Sequence, residues 1–89
     1  MPNTIREIKK TIDKALEVAE RIEYDYGRSI ALSDIAKALA EIGDIDKAKK
    51  TIDKALEVAE RIWFDLHRSL ALSDIAKALA EIGDIDKAL

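Results

Sequence analysis

Residues 11–49 recur as residues 51–89, forty positions further on, with almost no change. Any fold of this chain must satisfy the same local preferences twice, and a period of this length fits one pair of helices with its connections. The differences between the copies cluster. Glu23, Tyr24, Tyr26, Gly27 and Ile30 become Trp63, Phe64, Leu66, His67 and Leu70, and Lys49 becomes Leu89. These changes make the second bend more apolar and remove its glycine.

Within each copy the apolar residues recur at three- and four-residue steps, the signature of one helical face. Ile5, Ile8, Ile12, Ala15, Leu16, Ala19 and Ile22 predict a first helix over 4–23, opened by a capping box between Thr4 and Glu7. Ala31, Leu32, Ile35, Ala36, Leu39 and Ile42 predict a second over 26–42, with Asp25 as its cap. Gly43 suits the left-handed position after a helix, and Asp44 suits the cap of the next, over 45–63. The final helix is expected over 66–82, closed by Gly83 and Asp84, with 85–89 as the stub of a fifth. The whole of 1–89 reads as a single domain. Its last full helix has no successor to cover its outward apolar face. Replacing Gly27 by His67 also raises the alternative that the third and fourth helices fuse and exchange between chains.

Composition narrows function by exclusion. A formal net charge of -3, with both signs interspersed, gives no basic tract to follow a phosphate backbone, so no nucleic acid is expected as partner. No apolar run reaches membrane-spanning length, which predicts no membrane association and a soluble chain, cytoplasmic if natural or expressed inside a cell. Cysteine is absent, so disulfide and thiol chemistry are excluded. His67 is the only histidine and has no second soft ligand with which to build a zinc site. Ser29, Ser33, Ser69 and Ser73 have no suitable base in an obvious triad, and Asp25 and Asp65 read as caps rather than paired acids. The expectation is therefore a protein that is no enzyme and carries no cofactor or metal.

The segment 31–59, ALSDIAKALAEIGDIDKAKKTIDKALEVA, resembles the tetratricopeptide repeat. Leu32, Ile35, Ala36 and Leu39 match its first helix; Gly43, Asp44, Ala48, Ile52, Ala55 and Leu56 match its turn and second helix. The period departs from the family, being longer, and Leu32, Leu39 and Glu60 stand where aromatic and proline residues are usual. The resemblance implies an all-α fold, a tandem αα-hairpin solenoid. Agreement between the copies even at lysines and glutamates points to recent duplication or to a designed, consensus-like array. The family's concave wall would fall on Ile30, Ser33, Asp34, Lys37, Ser73, Asp74 and Lys77, an expected groove for a peptide or partner protein. The preferred expectation is a structural or engineered repeat scaffold that self-associates as a homodimer. Its contact surface would comprise Trp63, Phe64, Leu66, Leu70, Leu72, Ile75, Leu79, Ile82 and Leu89.

Overall fold

A computed structural model describes residues 4–89. They form four helices: α1 (Thr4–Ala19), α2 (Asp25–Glu41), α3 (Ile45–Glu60) and α4 (Asp65–Ala88). α2 is the hub, since it packs against all three others. It is suited to that place because it is apolar or small on several sides. Leu32, Ala36 and Ala40 are fully enclosed, together with Ser29 and Ser33, and these short side chains let neighbouring backbones approach closely. α1 and α3 instead carry a single apolar stripe and turn their lysines and glutamates to solvent. Ion pairs from Lys47 to Asp13 at 3.1 Å and from Lys54 to Glu20 at 3.0 Å link the two across their polar flanks.

The expectation of an elongated tetratricopeptide-like solenoid is not met. α2 and α4 are not consecutive in the chain, yet their interface is second in extent only to that of α2 with α3. Four helices thereby close into a bundle with a radius of gyration of 13.2 Å, near the value of about 12 Å for a compact chain of this length. One continuous core runs from Ile12 through Leu32, Leu39 and Ile52 to Ile75 and Ile82. The picture of a designed, consensus-like array also fails, because such an array repeats its structure along with its sequence. Here the copies are inequivalent.

The clearest inequivalence lies in residues 31–48 and 71–88, which are identical in sequence. In the first copy the segment is a helix, a turn and a new helix. Gly43 adopts φ +86°, its amide donates to the Ala40 carbonyl, the Asp44 amide donates to the Leu39 carbonyl, and the Asp44 carboxylate accepts from the Lys47 amide. In the second copy α4 runs straight through Gly83 to Ala88, so the expected turn and separate stub at 85–89 do not form. Two terms account for the difference. After Gly43 the chain turns back to bury Ile45, Ala48, Ile52, Ala55 and Val58, which outweighs the interrupted helix. In the second copy, extending α4 through Gly83 gains a backbone bond for each residue fixed. Ile85 then packs on the core and Asp86 pairs with Lys49 at 3.2 Å.

The alternative, fusion of the third and fourth helices, does not occur, and the expected separate helices form. α3 ends at Glu60, and a bend separates it from α4. Asp25 and Asp65 are not caps: Tyr24 and Phe64 hold those positions without a side-chain bond, and each aspartate is the first helical residue. What secures both bends is an arginine. Arg28 donates to the Ile22 carbonyl and to Asp25, and Arg68 repeats this with Ile62 and Asp65. The carboxylates in the first turn also suit the positive end of the helix dipole.

The two glycines predict opposite responses to one substitution. Gly43→Ala forces a side chain into the left-handed region and is expected to lower stability by about 1–2 kcal/mol. Gly83→Ala, in a helix interior with open space around the new methyl, is expected to raise it by about 0.5–1 kcal/mol. Urea unfolding of the two variants beside the parent chain checks both signs.

Candidate functional site

The bends between α1 and α2 and between α3 and α4 lie side by side because α2 packs on α4, and this brings their aromatic residues together. The Tyr26 ring stacks on His67 with centroids 4.9 Å apart, and Phe64 meets that imidazole edge-on at 4.9 Å. The Tyr24 hydroxyl hydrogen-bonds His67 Nδ1 at 3.1 Å. Trp63 completes the row against Phe64 but is 85% exposed. The row borders a cleft of about 540 Å³ whose polar margins are Glu23, Asp25 and Arg61. His67 thus acts as a joint between the copies, bonded to Tyr24 and stacked on Tyr26 of the first bend.

Other large apolar side chains stand open along α4 and at its end. Leu66, Leu70, Leu79 and Leu89 are exposed and Leu72 is half-buried. Ile75 and Ile82, expected on the association surface, are instead in the core, at 1% and 2% exposure. They sit on the side of α4 that faces its neighbours, where a stripe read from sequence has no way to distinguish covered from open.

The expected peptide groove is also corrected. Ser33 is completely buried and Ile30 half-buried, and Lys37 reaches Asp74 at 4.0 Å, helping to tie α2 to α4. Asp34, Ser73 and Lys77 are exposed. The second, larger opening, about 680 Å³ between α1 and α3, is bordered by the ion-paired lysines and acids already described.

Among the described residues no group of three or more His, Cys, Asp or Glu side chains is disposed to hold a metal ion, and no helix is long and apolar enough to cross a membrane. Two of the serines are committed locally: Ser29 and Ser69 donate to the carbonyls of Tyr26 and Leu66. What the surface offers is apolar area and aromatic faces. Compared with known protein families, with curated proteins and with solved structures, the chain matches none.

Sequence reasoning missed two things here. The aromatic joint joins residues forty positions apart, and only the α2–α4 contact reveals it. Its trace in the sequence is that Tyr24, Tyr26 and Gly27 change together. The arginine ties had a plainer signal, an Asp-x-x-Arg spacing kept in both copies.

Two measurements follow. A double-mutant cycle with Tyr26→Leu and His67→Leu is expected to give a coupling of about 0.5–1.5 kcal/mol, as ring pairs generally do. The Ser33 hydroxyl is buried without a protein partner, so Ser33→Ala is expected to be neutral or to raise stability by about 1 kcal/mol in the same unfolding assay.

Proposed function

We propose that this bundle works by protein association, taking a further copy of itself as its partner, and that it does not act as an enzyme. The observation that carries this reading is the large apolar surface left open in the second copy beside that of Ile5, Val18 and Tyr24 in the first. Trp63, Phe64, Leu66, Leu70 and Leu79, all exposed by nearly half or more, belong to the second bend and α4. The first-copy counterparts of the last two, Ile30 and Leu39, are half-buried and buried. Open apolar surface of this kind marks contact regions in soluble proteins, and each such side chain covered by a partner contributes roughly 1.5–3 kcal/mol before the cost of association. The charged flanks of α1 and α3 keep the remainder of the surface hydrated.

The direct test is molar mass by light scattering over a concentration series. The mass is expected to rise above that of one chain, a two-chain species being the first step, and Trp63→Ser with Phe64→Ser is expected to weaken that rise. A mass equal to a single chain at every concentration removes the proposal.

A further inference from the structure

The two copies in this chain pack against each other, and the same residues that form that internal interface are left open at the molecule's two ends. On α2, Ser29, Leu32, Ser33, Ala36, Leu39 and Ala40 are buried. Their identical counterparts on α4, Ser69, Leu72, Ser73, Ala76, Leu79 and Ala80, are exposed, apart from half-buried Leu72. Leu39 is 2% exposed and Leu79 46%. The cover on α2 that α4 lacks is the second copy itself, α3 and α4.

The reverse holds for the elements that do the covering. Thr51, Ala55 and Val58 of α3 and Ala71 and Ala78 of α4 are buried. Their first-copy equivalents Thr11 and Val18 are exposed, and Ala15, Ala31 and Ala38 are half-buried. Val58 is 3% exposed and Val18 50%. One end of the molecule therefore presents the surface that receives a copy, and the other end presents the surface that is received. Each is half of an interface already formed once inside the chain.

We infer that copies of this chain associate head to tail, the α1–α2 end of one molecule docking on the α4 face of another as α3–α4 docks on α2. This rests on the self-association reading and adds its geometry. Such a contact is heterologous: it uses two different surfaces, leaves one of each free, and so grows rather than closing at two chains unless the rotation makes a ring. Half of the internal ion pairs carry over. The internal pairs Lys37–Asp74 and Glu20–Lys54 have as their intermolecular counterparts Lys77 with the next copy's Asp34 and Glu60 with the next copy's Lys14. At the aromatic end, Phe64 and Leu66 occupy the positions from which Tyr24 and Tyr26 grip His67, and would meet Gly27 of the next copy. Four features weaken the contact relative to the internal one. Leu89 replaces Lys49, the partner of Asp86, and Gly27 replaces His67, so that ion pair, the ring stack and the Tyr24 hydrogen bond have no counterparts. Glu7 replaces Lys47, the partner of Asp13, and so faces Asp53, and Ile8 stands where Ala48 is fully enclosed. The internal docking is also tethered by a short turn, whereas a second molecule has no such advantage in effective concentration.

Complementation tests the geometry. Val18→Glu spoils the docking end and Leu79→Glu the receiving face; both positions are exposed in the single chain, and circular dichroism and melting curves verify that each variant folds. Under light scattering the parent chain is expected to increase in mass with concentration, passing two chains. Each variant alone is expected to lose most of that growth. Mixed in equal amounts, they are expected to form a two-chain particle and stop, because the Val18→Glu molecule keeps an intact receiving face and the Leu79→Glu molecule an intact docking end. A parent dimer that persists in both variants and dissolves with Trp63→Ser overturns the head-to-tail geometry but leaves self-association standing. Failure of the mixture to associate when the parent does overturns it equally. A parent that stays a single chain throughout overturns both.

Discussion

Everything in this molecule depends on α2 being packed on three sides at once. A helix in that position has almost no surface to give to water, so its side chains must be apolar or small all round, and backbones must come close enough to leave no voids. Ser29, Ser33, Ala36 and Ala40 serve this purpose by being short, while Leu32, Ile35 and Leu39 supply apolar volume. The fully buried Ser33 hydroxyl is one local cost of that arrangement. Once α2 is enclosed, the two bends are held next to each other and His67 is clasped between Tyr24, Tyr26 and Phe64.

The same constraint explains why a sequence written twice does not make a structure repeated twice. A residue's burial is a property of its neighbours as much as of its type. Leu39 and Leu79 have identical surroundings in sequence, yet one is buried by α3 and α4 and the other has nothing beyond it. Backbone conformation follows the same rule at Gly43 and Gly83. Glycine permits the left-handed turn in both places, and only where a long amphipathic helix follows and finds α2 to pack on does the turn form. Local propensity sets what is allowed; tertiary contact selects from it.

The asymmetry between the copies is also the source of the surface through which the molecule is proposed to act. A closed bundle with every apolar face covered would be inert. This one leaves the receiving half of an interface on α4 and the docking half on α1 and α2, while the substitutions at the second bend add Trp63, Phe64 and Leu66 to the exposed apolar area. The aromatic residues have two separate duties. Phe64 contributes to the joint with His67 inside the chain, and Trp63 stands outward from it.

From the sequence alone came the four helices and the turn at Gly43 with its Asp44 cap. These are readable because periodicity, glycine conformation and residue type act over a few positions at a time. The resemblance to tetratricopeptide repeats misled at the next level. It carried over an elongated stack and a concave groove, whereas the contact between α2 and α4 closes a bundle and buries or spends Ile30, Ser33 and Lys37 within it. Nor did local spacing reveal that Ile75 and Ile82 are core while Leu79 is surface, that Asp65 pairs with Arg68 instead of capping α4, or that α4 runs through Gly83. Each of those depends on which helix lies alongside, a fact that exists only after the chain has folded, because burial and long-range pairing are energies of contact between segments and not of any segment by itself.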